Sequence, residues 1–129
     1  MKKQIIRPEA VEQEHLFQIA ALHESQFPDL RLLYAIPNGG SRHPLEAINL
    51  KKQGVKPGVP DICLPVPRGG IGALYIELKR EKGGKASDEQ KAWIEALDAV
   101  GNAAYICEGC DEAWKVIKEY LHGRLDIQR

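Results

Sequence analysis

The residues best suited to chemistry are two acids and a lysine on either side of a glycine-rich turn. Asp61 follows Pro60 at the start of an apolar segment, and Glu77 and Lys79 lie at the end of the next apolar segment. Side chains alternate between the two faces of a β-strand, so Glu77 and Lys79 share one face while Leu78 points to the other. An acidic pair beside one amine is a combination that can bind a hard metal ion and act on a phosphate.

The spacing of the two acids predicts that they face each other across a hairpin. Asp61 and Glu77 are equally distant in sequence from Gly69, which lies in the turn formed by residues 67–72. A simple hairpin would place their Cβ atoms about 5 Å apart. Two carboxylates about 4 Å apart repel each other by about 4 kcal/mol at an effective dielectric constant of about 20, so a cation between them turns repulsion into binding.

The chemistry that this pair predicts is metal-assisted hydrolysis of a phosphodiester bond. Oxygen ligands select Mg²⁺ or Mn²⁺, and Mg²⁺ keeps several waters and adds phosphate oxygens of a substrate. Lys79 would orient the attacking water or offset charge that develops in the transition state. The simpler interpretation is that Asp61 opens a strand after a proline and that Glu77 and Lys79 lie on the exposed face of an edge strand. The combination of all three, in this order, favours function.

The composition is that of a soluble globular protein. The chain has 129 residues, 43% of them hydrophobic and 28% charged, which predicts one domain over residues 1–129. Its 18 basic and 18 acidic residues give a formal net charge of zero, which neither suggests nor excludes nucleic acid as a partner. No apolar run approaches the roughly 20 residues that cross a membrane, and the N-terminus lacks the apolar core of a signal peptide. We expect a cytoplasmic protein with no membrane partner.

The three cysteines, Cys63, Cys107 and Cys110, are too few for a disulfide framework. The last two form a C-x-x-C pair, but no second pair or histidine motif completes a zinc site. A thioredoxin-like pair would follow the first strand of a βαβ unit, whereas this pair follows the last predicted strand, so redox chemistry is the weaker alternative. No nucleotide cofactor is expected, because the glycines of 69–72 form a hairpin turn without a following helix.

Periodicity and turn residues predict eight elements. Helices are expected over residues 8–26, 44–53 and 87–100, followed by a last helix that Asp111 caps. Strands are expected over residues 30–36, 61–66, 73–79 and 103–107. The order α-β-α-β-β-α-β-α favours an α/β fold with a mixed β-sheet flanked by helices on both faces.

Five short patterns, in this order and spacing, resemble the VRR-NUC family of the PD-(D/E)xK nuclease superfamily, in its small stand-alone form found in phages and prophages. They are Glu14 in the first helix, the segment 36–40 with Arg42, the segment 54–61, the segment 76–79, and Ser87 with Gln90. Together they extend over most of the chain. The resemblance implies a restriction-endonuclease-like fold and Mg²⁺- or Mn²⁺-dependent cleavage of DNA.

The resemblance also implies roles for individual residues. Asp61 and Glu77 would be catalytic metal ligands, and the backbone carbonyl of Leu78 would be a further ligand. Lys79 would be the catalytic lysine. Glu14 would be the helix-borne acid that completes the catalytic and metal-binding site.

Two helix-borne residues carry alternatives. Glu14 is favoured as the acid because Gln18 shares its face, as in the family, but Glu12 is the alternative, and all the acids of this helix could be solvated. Gln90 would be a catalytic glutamine of the following helix. With Ser87 it also forms an S-x-x-Q capping box, in which its side chain would bond the backbone at the helix start.

DNA contacts are expected from residues that flank the acidic pair in sequence, namely Asn38, Arg42, Lys56 and Arg80. Stand-alone members of the family are similar to structure-selective enzymes that cut four-way junctions as homodimers. Larger relatives, such as the Fanconi-associated nuclease, fuse the domain to DNA-binding modules and prefer flaps, and this chain is expected to lack such modules. The resemblance thus implies a homodimeric nuclease of branched DNA. The alternatives are a non-catalytic nucleic-acid-binding module and a nuclease of flaps or other structures that needs a partner.

Overall fold

The computed structural model describes residues 5–37 and 44–125. Its helices are α1 (Glu9–Leu22), α2 (Pro44–Lys52), α3 (Asp88–Ala99) and α4 (Cys110–Leu121), and its strands are β1 (Tyr34–Ala35), β2 (Ile62–Leu64), β3 (Leu74–Lys79) and β4 (Ala103–Glu108). This is the predicted order of helices and strands. None of the helices in these described ranges is long and apolar enough to cross a bilayer.

The strands form one mixed sheet in the order β1-β2-β3-β4. β1 pairs antiparallel with β2, and β2 pairs antiparallel with β3. β3 and β4 are parallel, and α3 makes the crossover connection that a parallel pair needs. The predicted α/β class, with a mixed sheet flanked by helices, is confirmed.

One face of the sheet, which we call the core face, is covered by α1 and α4, and these two helices also contact each other. Alternate residues of β2 and β3 point to it, as the pleat of a strand requires. The buried side chains that meet there include Leu16, Ala20, Ile62, Leu64, Leu74, Ile76, Leu78, Ala113, Ile117 and Tyr120. Each large aliphatic side chain buried in this way stabilises the fold by about 1.5–3 kcal/mol.

The opposite face, which we call the site face, carries the other alternate residues of the same strands. Asp61, Glu77 and Lys79 lie on it, together with Cys63 and Tyr75. The helix on this side, α3, packs over β4 at one edge of the sheet. The site face therefore offers a polar, partly uncovered surface to a large ligand.

The segment 30–36 is not the single strand that we predicted. A 3₁₀ helix, Pro28–Leu32, comes first, and only the two residues of β1 pair with β2. Pro28 presets the backbone for the helical turn. The buried residues Leu30 and Leu33 are three positions apart, which matches the three residues per turn of a 3₁₀ helix. A continuous apolar run was therefore insufficient to distinguish a strand from this tighter helix.

The start of α4 also differs from the prediction, which assigned the cap to Asp111. Gly109 is the N-cap residue, with a φ of 88°, and it has no side chain to accept a hydrogen bond. Instead, the carboxylate of Glu12 on α1 accepts a hydrogen bond from the backbone N–H of Cys110 at 3.0 Å. A negative charge at this position also interacts favourably with the helix dipole. The cap comes from a distant segment, which no local pattern could have indicated.

The cysteines Cys63, Cys107 and Cys110 are buried and free. Burial raises the pKa of the Cys107 thiol to about 12 and that of the Cys110 thiol to about 11. Because the thiolate is the nucleophile, burial makes these two thiols poor nucleophiles at neutral pH.

Candidate active site

The register of β2 and β3 places the two predicted acids opposite each other. Ile62 pairs with Ile76, so Asp61, one residue before β2, lies opposite Glu77. This agrees with the hairpin prediction. The backbone N–H of Leu78 donates to Oδ2 of Asp61 at 2.8 Å, which ties the aspartate side chain to β3.

The hairpin reaches this register by a route that the sequence analysis did not predict. The turn is centred between Gly69 and Gly70, whose φ values of 56° and 82° fit a two-residue type I′ turn. A regular ladder from that turn would place Asp61 opposite Leu78. The Asp61 side chain would then point to the core face, away from Glu77. The segment 65–67, however, contains one residue more than the stretch that follows the turn before β3. Its two prolines interrupt the ladder, and the extra residue restores the register that joins the two acids.

Asp61 is held by the backbone on both sides. Its carbonyl accepts a hydrogen bond from the N–H of Ile36 at 2.6 Å, next to β1, while its side chain accepts the one from β3. Pro60, which is buried, precedes it and limits the conformations of the chain that enters the sheet. These contacts fix the position of the carboxylate before any ligand binds.

Glu77 is a buried carboxylate with an incomplete set of partners, since the residue is only 1% exposed. Its Oε2 accepts a hydrogen bond from Nε2 of Gln90 at 3.2 Å and lies 3.5 Å from Nζ of Lys79. Its Oε1 is buried and has no hydrogen-bond partner within residues 5–37 and 44–125. A buried polar atom without a partner is costly, and a bound ion is one of the few things that can satisfy it.

The protonation of Glu77 reflects this environment. Burial and, next, the neighbouring carboxylate of Asp61 raise the pKa of Glu77 to about 8, although Lys79 opposes the shift. At neutral pH the site without an ion therefore favours a protonated Glu77 beside Asp61. A cation between the two carboxylates would replace that proton, so the affinity for a cation should increase with pH.

Lys79 is almost as buried as Glu77, with 6% exposure. The loop after β3 closes over its aliphatic stem, and a Cβ at Gly84 would lie 3.1 Å from the Cβ of Lys79. Glycine at position 84 thus lets the loop approach the lysine closely. The amine is directed at the carboxylate of Glu77 rather than at bulk water.

Gln90 forms the predicted capping box, and its side chain also contacts Glu77. Its backbone N–H donates to Oγ of Ser87 at 3.1 Å, and its Oε1 accepts from the backbone N–H of Ser87 at 2.8 Å, which is a complete capping box. Because Oε1 is used in the cap, Nε2 is left to donate to Glu77. The cap therefore sets the orientation of the amide that contacts the carboxylate.

Two residues outside the predicted set position the loop before β2. Nε1 of Trp93 donates to the carbonyl of Pro57 at 3.0 Å. Gly58 has a φ of 85°, and a Cβ built on it would lie 2.7 Å from the backbone of Glu89. Only glycine fits this conformation and this close approach to α3. The glycines and prolines of 54–60 indicated a constrained loop, but the sequence did not show that α3 is its partner.

The acids of α1 do not meet the Asp61–Glu77 pair through a direct contact. Glu14 is exposed and lines an open cleft between α1 and β1, where Ala35 lies opposite. The described residues show no hydrogen bond or ion pair that joins Glu14 to Asp61, Glu77 or Lys79. Glu12, the alternative, is fully buried at the N-terminus of α4.

Two of the four residues predicted to contact DNA lie within the described residues. Lys56 is exposed in the loop before β2, and Arg80 is exposed directly after β3, where its guanidinium donates to the carbonyl of Gly83 at 2.9 Å. Arg80 also lines an open cavity with Arg7 and Lys82. Asn38 and Arg42 lie outside the described residues.

The donor set fits a hard divalent cation. No group of three or more His, Cys, Asp or Glu side chains in the described ranges is arranged to hold a metal ion. Mg²⁺ needs only one or two carboxylates, because waters and substrate phosphates complete its coordination. Two carboxylates, one of them with an orphaned oxygen, match that requirement, whereas a structural zinc site would need about four ligands.

A mixed sheet with helices on both faces and an acid–acid–lysine set on one of them define a nuclease-type α/β domain. The VRR-NUC domain model matches residues 4–111, and the chain belongs to the VRR-NUC family. A solved structure described as a VRR_NUC domain protein is 27% identical in sequence and superimposes with a TM-score of 0.79 over 95% of this chain and 93% of that chain. No curated protein matches the chain. VRR-NUC nucleases are in general metal-dependent, and a nuclease domain implies DNA as the substrate.

Proposed function

We propose that this chain is a Mg²⁺- or Mn²⁺-dependent endonuclease that hydrolyses phosphodiester bonds in branched DNA, acting as a homodimer that resolves four-way junctions. The observation that carries the proposal is the pair of facing carboxylates, Asp61 and Glu77. Oε1 of Glu77 is buried and has no hydrogen-bond partner among the described residues. Membership of the VRR-NUC family supports it independently.

Asp61, Glu77 and the backbone carbonyl of Leu78 would hold the metal ion, and Glu14 would be the helix-borne acid of the site. When bound, such an ion polarises the phosphate and lowers the pKa of a bound water. The contact from Leu78 N–H to Asp61 supports this role, because it holds one carboxylate oxygen in a fixed direction. The position of Glu14 in the cleft beside β1, the strand next to Asp61, supports its participation from the neighbouring edge.

Lys79 and Gln90 would act around Glu77. Both engage Oε2, so Oε1 is the oxygen that remains for an ion. A buried, positively charged amine at this position can orient a water for in-line attack or offset the negative charge that builds on the phosphate. Gln90 would hold the carboxylate of Glu77 in one orientation.

Basic and polar residues around the acids would track the DNA backbone. Lys56 and Arg80 are exposed on the loops that enter and leave the site, and Asn38 and Arg42 complete the proposed set. Contacts of this kind depend on counterion release, so binding should weaken steeply as the salt concentration increases.

The branched substrate and the homodimer are supported by the family resemblance. A two-fold symmetric dimer would bring two such sites to a four-way junction, which is itself pseudo-symmetric. Helix α2 exposes Leu45 and Ile48, apolar side chains that a contact between copies would cover.

The test is cleavage of labelled four-way junction, flap, nicked, linear duplex and single-stranded DNA with Mg²⁺ or Mn²⁺. Asp61→Asn and Lys79→Gln should abolish cutting, whereas Glu95→Gln and Lys91→Gln, exposed on α3, should leave it unchanged. Paired symmetric cuts in the junction are the expected product. If the folded wild type cuts none of these substrates with either metal, the enzyme proposal fails and a non-catalytic DNA-binding module is favoured. If only flaps are cut, the junction specificity fails and the nuclease stands.

A further inference from the structure

A row of aromatic side chains lies on the site face beside the carboxylates. Tyr34 pairs with Cys63 across β1 and β2, and Cys63 pairs with Tyr75 across β2 and β3. Paired residues point to the same face of a sheet. Tyr75 is two residues before Glu77 on one strand, so its Cα lies about 6.6 Å from that of the acid. This distance is comparable with the length of one nucleotide in an extended strand.

The two tyrosines are accessible. Tyr34 is 47% exposed on an edge strand, and Tyr75 is half-buried, while Cys63 is buried between them. The helix on this side, α3, packs over β4, at the other edge of the sheet. The tyrosines therefore face the open part of the site face, where a substrate must approach Asp61 and Glu77.

Both tyrosines neighbour Cys63 across the strands. The Cys63 thiol next to the hydroxyl and, second, burial raise the pKa of Tyr34 to about 12. Burial and the same thiol raise the pKa of Tyr75. The two tyrosines thus flank Cys63 of β2 on one face of the sheet. Because the phenol of Tyr34 stays neutral in any ordinary assay, it does not repel a polyanion.

We propose that Tyr34 and Tyr75 form a stacking platform for an unpaired nucleotide next to the phosphate that is cut. The inference rests on the proposed nuclease function and adds a preference among branched substrates, namely for bases that are unpaired, or that open at the branch point, beside the scissile bond. Aromatic side chains bind bases by stacking with little dependence on base identity, because every base has a π-face. In an intact duplex the bases are stacked on each other, so the platform selects branch points, gaps and single-stranded arms over linear duplex.

The experiment measures the Kd of the full chain by fluorescence anisotropy, in Ca²⁺ to limit turnover, for a duplex with a single-stranded arm and for the same duplex with blunt ends. Tyr34→Leu or Tyr75→Leu should raise the Kd for the armed DNA about 5- to 150-fold, equivalent to about 1–3 kcal/mol. Tyr34→Phe and Tyr75→Phe, which keep the ring, should bind as wild type. The Kd for the blunt duplex should be the same for the wild type and for all of these variants. Leu32→Ala, at a residue with a similar exposure of 43%, is the matched control and should change nothing.

Two results on DNA would overturn the platform. The first is binding of the armed DNA by Tyr34→Leu as tightly as by wild type, and the second is a loss in Tyr34→Phe as large as in Tyr34→Leu, which would assign the contact to the hydroxyl. Because Tyr75 is half-buried, thermal melting checks that Tyr75→Leu folds. If it does not fold, the variants of the exposed Tyr34 test the platform alone.

Sedimentation without DNA separates the remaining alternative. If Tyr34→Leu changes the oligomeric state, Tyr34 belongs to an interface between copies and the platform is wrong. The failure of the nuclease proposal looks different. If the nuclease proposal fails, the wild type cuts no DNA. If wild type and Tyr34→Leu cut the armed DNA equally well, the nuclease proposal stands and only the platform is contradicted.

Discussion

Two glutamates are buried on opposite sides of one sheet, and their surroundings shift their pKa values in opposite directions. Glu12 is 0% exposed and Glu77 is 1% exposed, and each has one oxygen without a hydrogen-bond partner in the described residues. Burial by itself would raise both pKa values. At Glu12 the N–H of Cys110 and the charge of Arg7 outweigh burial and lower the pKa. At Glu77 the carboxylate of Asp61 adds to burial and raises the pKa to about 8.

The difference separates an acid whose charge the fold stabilises from one whose charge it disfavours. The fold itself supplies partners for Glu12, namely a helix N-terminus and the guanidinium of Arg7 at 3.4 Å. In both acids the donors reach only one oxygen, but Glu77 also lies beside a second acid, and that acid raises its pKa further. A buried charge next to a like charge is unfavourable unless a cation joins them. The polypeptide therefore stabilises the charge of Glu12, whereas the charge of Glu77 is disfavoured unless a cation binds beside it.

Glu77→Gln should have the largest effect, and the effect should be on activity. Loss of a charged metal ligand should slow cleavage at least about 100-fold, equivalent to about 3 kcal/mol in the barrier. The free energy of unfolding near neutral pH should not decrease, because an amide replaces a carboxyl whose anion is disfavoured by burial. Single-turnover cleavage and thermal melting measure the two quantities. A variant that melts early but cuts normally would make Glu77 the structural acid.

Glu12→Gln should have the second largest effect, and the effect should be on stability. A hydrogen bond to a charged group contributes about 1.5–3 kcal/mol, so the free energy of unfolding should fall by about 1–3 kcal/mol, since the amide oxygen can still accept from Cys110. Denaturant titration measures it, and Glu9→Gln, at an exposed acid of the same helix, should change it by less than about 0.5 kcal/mol. Cleavage per folded molecule should equal that of the wild type. A loss of cleavage as large as in Glu77→Gln would make Glu12 the helix-borne catalytic acid.

A third expected effect is the dependence of stability on pH and metal. Native Glu77 keeps its proton up to about pH 8, whereas the unfolded chain loses it near the ordinary value of 4.5. Between these values the native state binds more protons, so the contribution of Glu77 to stability decreases as the pH rises. The contribution of Glu12 to stability depends on pH in the opposite direction. Its pKa is lowered, so that contribution is lost only as the pH falls below 4.5.

A bound cation should cancel the decline caused by Glu77. Mg²⁺ at about 100 times its Kd would stabilise the fold by about 2.7 kcal/mol, and the gain at a fixed concentration should be larger at about pH 8 than at about pH 6. Thermal melting of wild type, Glu77→Gln and Glu12→Gln at both pH values measures it. Glu12→Gln should respond as the wild type does. A gain of equal size in Glu77→Gln would mean that the cation binds elsewhere.

Local rules were sufficient for much of the site. Alternation along β3 placed Glu77 and Lys79 on one face, and the spacing around Gly69 predicted that Asp61 would meet Glu77. The pattern S-x-x-Q predicted the capping box of Ser87 and Gln90. These successes share a cause, since each depends on residues within one strand, one hairpin or one helical turn.

Long-range contacts were beyond the same rules. The apolar run after Pro28 formed a 3₁₀ helix because Leu30 and Leu33 pack into the core, and the cap of α4 comes from Glu12 rather than from Asp111. The close approach of Gly58 to α3 depends on an element 31 positions later along the chain, at Glu89. A sequence shows which residues are small, apolar or acidic, but it does not show which distant segment will need them.

The sequence by itself determined the order of elements, the family, and the presence of two acids and a lysine on one face, because periodicity and spacing act locally. Only the tertiary structure decided which buried glutamate has its charge stabilised and which does not. Glu12 and Glu77 are the same residue type in regular elements, and they differ only in what lies against them: a helix N-terminus in one case and a second carboxylate in the other. That difference is set by packing, because the dielectric environment and the donors of a buried charge come from segments that meet only in the folded chain.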